Sequence, residues 1–451
     1  MKEEALRAGR DGKRLQGATM PPGSCLSCLQ SPSMTNDRHV VIVGAGVIGV
    51  CCAYFLARRG ASVTVLERDE VGKGASYGNA GTIAPGHGPI NRPGRVKQAV
   101  KSLLDPLSPL YVAPRFDPSL MRWLWQFSRA CTQSHLDYCM SALAPLGHET
   151  SRLFDQLVSE EDLDCGYRQT GYYEVYRSER ALRAASEEAA AMRTHGYRPQ
   201  TLSGEATRER EAALKSDVLG SVFFPEAATV VPYRFVVELA DRARRYGAQF
   251  VSGSDVTSVD VGNGRIVAVQ TARRERHQCD AVVLATGVYG SRLFERLGFQ
   301  VPLQAAKGYH RDRDPADGAT PSLGNTCMLG EKSVFCTPMG GFLRLAGTLE
   351  FSGINDHMRR PRLEQLTNAA KLYVDGLDDA EPISEWCGLR PCISDGLPVI
   401  GPVPGVEGLF LSTGHGMLGL TLGPVTGRMI AELLMEGKSE LDAIPFRIDR
   451  F

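Results

Sequence analysis

Hydrophobic positions along the chain alternate between short, continuous β-branched runs and longer stretches with helical spacing. The first run, His39 to Val43, reads as a buried strand. It leads directly into Gly44-Ala45-Gly46-Val47-Ile48-Gly49. A helical pattern follows from Val50 to Arg59 and is closed by Gly60. A second strand, Ser62 to Leu66, ends at Glu67. Two more strand–glycine units occur later, in "QCDAVVLATG" with its apolar run Ala281 to Ala285, and in "GLFLSTGHG". The last one feeds "GPVTGRMIAELLMEG", whose Val425, Met429, Ile430 and Leu433 have helical spacing.

Between these units lie two blocks of different texture. Residues 117–221 are mostly helical in pattern, with one strand, "GYYEVYRS", and an exposed Ala/Glu/Arg-rich helix, "ALRAASEEAAAMRTHG". Residues 303–385 are richer in strand, including "SVFCTP" and "GFLRLAGTLEF". "PYRFVVELADRARRYGAQFV" reads as helix then strand. "VTSVDVGNGRIVAVQ" reads as a hairpin turning at Gly262-Asn263-Gly264.

Composition narrows the class. At 451 residues and 43% hydrophobic, the chain is long enough for two sizeable cores. Its formal net charge of zero argues against nucleic acid as a partner. No apolar run reaches the ~18 residues of a membrane-spanning helix. The twelve cysteines are scattered, which fits a reducing, cytoplasmic compartment better than a disulfide framework. Cys25 and Cys28 form the one CxxC, in a Pro/Ser/Gly-rich lead with no partner pair, so no metal site is expected. Cys51 and Cys52 read as helix packing residues. Residues 1–36 are expected to be a disordered lead or a mis-assigned start.

The first motif has a specific physical use. Gly44 permits a tight turn, Gly46 lets backbone approach a pyrophosphate, and Gly49 lets helix and strand pack closely. The helix N-terminus offers free N–H groups and a positive dipole end. Glu67, 18 positions past Gly49, can accept from ribose hydroxyls. The fingerprint alone does not separate FAD from NAD. The Gly-rich stretch that follows, "GKGASYGNAGTIAPGHGPI" from Gly72 to Ile90, is the kind of long loop that usually serves function.

"VVIVGAGVIG" with "LERDEVGKGASYGNAG" resembles the FAD-dependent amino-acid oxidoreductases, above all the branch of D-amino-acid and hydroxyproline dehydrogenases. Glycine and sarcosine oxidases are more distant members. "CDAVVLATGVYGSRL", "GLRPCISDGLPVIGPVP", "LFLSTGHGMLGLTLGP" and the ending "FRIDRF" match family landmarks in order, from about Asp37 to Phe451. The resemblance implies an α/β fold. A Rossmann-like FAD-binding domain would be built from residues 37–116, 222–302 and 386–451. An α+β substrate domain with a mostly antiparallel sheet would take 117–221 and 303–385.

It also implies noncovalent FAD, held by Gly44, Ala45, Gly46, Val47, Ile48, Gly49, Glu67 and Arg68. Ser76, Asn79, Ala80, Gly81 and Thr82 would follow, with Val256 backbone at the adenine. Ala285, Thr286 and Gly287, then Gly414, Gly416, Gly419 and Thr421, would complete the set. The four glycines of "STGHGMLGLTLGP" would let backbone lie against the flavin.

The implied reaction is oxidation of a Cα–N bond by hydride transfer to flavin N5. It needs a cation for the substrate carboxylate, and Arg390 in "GLRP" is the first choice. The competing role is a structural arginine paired to Asp395 or to backbone. Glycine oxidase has a second arginine where this chain reads His415-Gly416-Met417-Leu418, so that cation is absent or replaced. Tyr309 and His310 in "AKGYHRD" are candidates to face the substrate. His310, His415 and His87 are candidates to influence the amine proton. Cys387 and Cys392 flank Arg390 without being expected to bind flavin covalently.

Electrons would pass to a quinone or carrier protein. The competing readings are an oxygen-using glycine or sarcosine oxidase and a noncatalytic FAD-binding subunit. Homo- or hetero-oligomers fit the resemblance. The helix in "SLMRWLWQFSRAC" carries Leu120, Trp123, Leu124 and Phe127 on one face. That face reads either as core-facing or as a peripheral membrane contact.

Overall fold

The computed structural model describes residues 38–102, 105–314, 322–377 and 381–451. The expectation for residues 1–36 lies outside them. Two sheets organise the described residues. The first has six strands in the order Val399–Pro402, Leu409–Thr413, Ala281–Leu284, His39–Val43, Ser62–Leu66, Gln249–Val251. The inner pairs are parallel, and Val399–Pro402 runs antiparallel at one edge. Its strands come from the beginning, middle and end of the chain, as the three strand–glycine units predicted. Parallel strands covered on both faces need continuous apolar runs, which is how these strands read.

One face of this sheet is covered by the helices Val47–Arg58, Pro232–Arg245 and Gly419–Glu436. Tyr54, Phe235, Leu239, Val425 and Met429 are buried there. A Cβ at Gly427 would come within 2.5 Å of the Cys51 backbone. Cys51 is thus a packing residue where two helices cross closely. The helix Gln133–Glu160 joins the same core through Leu143, Leu153, Phe154 and Leu157. The other face is covered by the three-stranded sheet of Val256–Gly262, Arg265–Thr271 and Arg276–Gln278, with Val256 and Val269 packed on Val41 and Leu284.

The second sheet has nine strands, mostly antiparallel. Its order is Ser384–Ile393, Leu303–Arg313, Leu343–Phe351, Val334–Pro338, Thr326–Leu329, Tyr172–Tyr176, Gly220–Phe224, Gln200–Ser203. Leu110–Val112 pairs in parallel beside Leu343–Phe351. One face buries Tyr173, Val175, Cys336 and Leu345 under the helix Arg360–Lys371.

Three expected boundaries move. Gly220–Phe224 and Ser384–Ile393 both belong to the nine-stranded sheet, so breaks at 221/222 and 385/386 would cut strands. Leu110–Val112 belongs there too, and the Gln133–Glu160 helix sits on the dinucleotide side. The physical reason is that alternation marks a strand but not the sheet it joins. Among the described residues, no helix is long and apolar enough to cross a membrane.

Candidate functional site

The turn after His39–Val43 is sterically specified. Gly44 has φ +102°, and a Cβ there would come within 2.6 Å of Ala285 O. A Cβ on Gly49 would overlap Gly44 O. The helix Val47–Arg58 starts at Gly46 with no side-chain cap and no acid in its first turn. The helix itself supplies no cap or acid to its dipole end; the groups that approach it come from other segments.

Val47 N donates to Ser76 Oγ at 2.9 Å. Glu67 accepts from Ala45 N at 2.7 Å and from Asp69 N at 3.0 Å. Arg68 lies over the Tyr289 ring at 3.8 Å. The next strand's turn, Ala285-Thr286-Gly287, adjoins Gly44, and Ala285 N donates to Val43 O at 2.9 Å. Thr286 Oγ1 is buried with no partner among the described residues. Near Val256, Ser254 N donates to Glu67 O at 2.8 Å.

The Gly72–Ile90 stretch is fastened to the second sheet. Arg344 donates to Tyr77 O at 3.2 Å and Asn79 O at 3.0 Å, and pairs with Asp312 at 2.8 Å. Gly81, at φ +75°, donates its N–H to Asn79 Oδ1 at 2.8 Å. Thr82–Ile83 pairs with Ala228–Thr229. Ala84 N donates to Thr421 Oγ1 at 3.1 Å, tying the loop to the helix Gly419–Glu436.

That helix also lacks a side-chain cap and a first-turn acid. The turn before it holds Gly414 at φ +81° and Gly416 at φ +53°. Thr413 Oγ1 donates to Gly287 O at 3.1 Å, and Gly416 N to Pro391 O at 2.9 Å. Three loops distant in sequence thus meet beside the strand carrying Arg390.

Alternation along paired strands sorts the rest. Arg390 pairs with Ala306, Gly388 with Gly308, and Trp386 with His310, so these share one face. Arg390 donates to Thr348 O at 2.8 Å and is half-buried. It has no carboxylate partner among the described residues. Of the two structural partners expected as alternatives, Asp395 is taken by Arg450 at 2.7 Å, whereas the backbone partner is present as Thr348 O. Burial lowers the Arg390 pKa, an effect that an anionic ligand would oppose.

Tyr309 is a correction. It pairs with Cys387 on the opposite face and is buried, with its hydroxyl donating to Glu350 at 3.1 Å. Glu350 is paired to buried Arg362 at 2.7 Å. Burial, then Glu350, raises the Tyr309 pKa. Tyr309 therefore belongs to the far-side core; strand phase, one residue off, decides it.

The histidines are also internal. His310 is fully buried, its Nδ1 lies 3.2 Å from Gly78 O, and its ring stacks on Trp386 at 5.4 Å. Burial, then Arg344, pushes its pKa down to about 4. His415 is 4% exposed, with Nε2 at 3.1 Å from Thr426 Oγ1, and burial pushes its pKa down to about 3. Both rings are neutral anchors rather than groups opening onto a cleft. His87 lines a separate small cavity with Arg92, Glu174 and Tyr197. Burial, then Arg92 and Arg95, lowers its pKa to about 3.

Trp386, Arg344 and Gly308 were not singled out from sequence. Trp386 fills the space left by two glycines, since a Cβ on Gly78 or Gly388 would overlap its ring. The glycine inside the strand pattern "AKGYHRD" was the available signal. Nothing local marked Arg344.

Two helix N-termini without caps of their own, glycine turns from three chain regions and a carboxylate at the second strand's end suit a dinucleotide-binding protein. Residues 39–433 match the family described as FAD dependent oxidoreductase, and the chain belongs to that family. It is 32% identical to a D-amino acid dehydrogenase of Sinorhizobium medicae, over 91% of this chain and 99% of that one. A D-amino acid dehydrogenase of Bradyrhizobium diazoefficiens is also 32% identical, over 91% and 98%. Glycine oxidase from Geobacillus kaustophilus superposes with a TM-score of 0.75 at 23% identity, over 92% and 99% of the two chains.

Proposed function

We propose that this enzyme oxidises the Cα–N bond of a D-amino acid, with Arg390 receiving the substrate carboxylate. The observation that carries the reading is a half-buried guanidinium with, among the described residues, one carbonyl partner and no acid, beside the converging glycine loops. An arginine so placed has donors left for both oxygens of a carboxylate. Holding the carboxylate fixes which substituent of Cα faces the glycine turns. The names of the relatives at 32% identity favour the D-series.

The chain's residues fit FAD. Gly44 to Gly49 and the first uncapped helix would hold the pyrophosphate, and Glu67 the ribose. Gly414 to Gly419 and the second uncapped helix would border the flavin ring. When bound, FAD supplies the two-electron acceptor that no side chain here can supply. His310 and His415 stay neutral at working pH, so the cleft gains no competing cation from them. Noncovalent binding fits the thiols near Arg390. Cys392 is buried with its pKa pushed up to about 12, and Cys387 Sγ lies 3.4 Å from Asp356 O.

The electrons would pass to a quinone or carrier at a membrane surface. The helix Pro118–Ala130 buries Leu120, Trp123 and Phe127 and leaves Met121 and Trp125 exposed, beside fully exposed Phe116. Arg122 and Arg129 on this helix suit anionic lipid. Flotation with anionic vesicles should carry the wild type and leave Trp125→Ser behind; wild type remaining wholly in solution would contradict the contact.

The test of the main reading is anaerobic. FAD-loaded enzyme is mixed with D- and L-amino acids, glycine, sarcosine and hydroxyproline epimers, and flavin absorbance is followed. Bleaching by D-amino acids is expected. Bleaching by none of them, or only by glycine and sarcosine, would overturn the reading.

A further inference from the structure

The strand Leu343–Phe351 is not straight where it passes Leu303–Arg313. Lys307 pairs with Glu350, but Tyr309 pairs with Gly347. Gly308 therefore stands alone opposite Thr348 and Leu349, which is a β-bulge. Thr348 sits in it at φ +68°. A β-branched residue rarely adopts that conformation, and bulges and strained backbone gather where a group must be aimed.

Here the aimed group is visible. The kink turns the Thr348 carbonyl onto Arg390 Nη1 at 2.8 Å. Across the strand, a Cβ on Gly308 would overlap Nη1 and Cζ of Arg390. The guanidinium thus lies against the bare Gly308 backbone and is tied at one nitrogen, with no partner for its other donors among the described residues. On the far face, Glu350 is held by Arg362 at 2.7 Å and by the Tyr309 hydroxyl at 3.1 Å, which anchors the strand just beyond the bulge.

We propose that Gly308 and the Thr348 bulge are positioning residues that fix the plane of the Arg390 guanidinium so that its free donors meet the substrate carboxylate. The inference rests on the reading of Arg390 given above. A flexible side-chain end, not backbone, is what a methyl on Gly308 would meet. Gly308→Ala should therefore fold and keep FAD while displacing the guanidinium.

The experiment compares FAD-loaded wild type, Gly308→Ala, Arg390→Lys and the double variant, with D-alanine as substrate. Gly308→Ala is expected to raise KM by about tenfold or more, with a smaller change in kcat and little change in Tm. In the Arg390→Lys background the same methyl should change KM little, because an ammonium is a point charge with no plane to fix. Unchanged KM in Gly308→Ala would overturn the proposal. So would an equal rise in both backgrounds, or a Gly308→Ala chain that does not fold. If wild type and Arg390→Lys share one KM, the carboxylate reading itself fails. If Arg390→Lys raises KM while Gly308→Ala does not, only the positioning proposal fails.

Discussion

The two sheets carry functional residues in different ways. In the six-stranded sheet the key groups are backbone: glycine turns at the ends of parallel strands, with helix N-termini behind them. Their positions follow from where glycine stands in the chain, because only glycine fits where Gly44 and Gly49 stand. In the nine-stranded sheet the key groups are side chains on one face. A shift of one residue moves a position to the opposite face, as Gly308, against the Arg390 guanidinium, and Tyr309, bonded to Glu350, demonstrate. Sites made of backbone are therefore read more directly from sequence than sites made of strand side chains.

The largest effect should come from attacking the backbone site. Gly49→Val would drive a Cβ into Gly44 O, with no flexible group to yield. Loss of bound flavin from the purified protein is expected, measured by the ratio of flavin to protein absorbance. A Gly49→Val protein with full flavin content would break the contrast between the sheets.

Next comes the side chain on the Gly308 face. Arg390→Gln removes charged hydrogen bonds to the carboxylate, a loss of about 3 kcal/mol or roughly a hundredfold in kcat/KM. Thermal stability should hold or rise, since the guanidinium lacks an acidic partner among the described residues. Steady-state kinetics and a melting curve together check both halves.

A pH effect of intermediate size belongs to the buried histidines. His310 and His415 are held neutral, with pKa values pushed down to about 4 and about 3. Unfolded, each titrates near about 6.5, so below that pH the unfolded chain takes up protons that the folded chain refuses. Stability is therefore present above about pH 6.5 and is lost as pH falls toward 4. The slope is at most about 1.4 kcal/mol per pH unit for each ring. A His415→Gln variant should show a flatter dependence of Tm on pH across that window. An unchanged slope would place the ring outside the core.

The smallest effect sharpens the comparison most. Tyr309→Phe removes one hydroxyl bond to Glu350 on the core face, at a cost of about 1 kcal/mol in stability. Activity should be unaffected, as denaturant melts and kinetics in parallel would record.

This contrast sets how much was legible in the chain. The first motif, the three strand–glycine units, the Val256 hairpin and the helix before Gly247 all follow from periodicity and glycine placement. Arg390 was legible from its resemblance to family members, and its solitary state only from Arg450 occupying Asp395. The phase of "AKGYHRD" was not, because every residue of Leu303–Arg313 past Leu303 is buried, so no polar alternation marks the two faces. Nor did any local feature show that Arg344 would bolt the Gly72–Ile90 loop to a strand far along the chain.

The most direct test is anaerobic flavin reduction by D-alanine in wild type, Arg390→Gln and Tyr309→Phe, followed across substrate concentration. Tyr309→Phe should track the wild type while Arg390→Gln needs far more substrate for the same rate. Equal impairment of both variants, or impairment of Tyr309→Phe alone, would contradict a substrate site on the Arg390 face of the sheet.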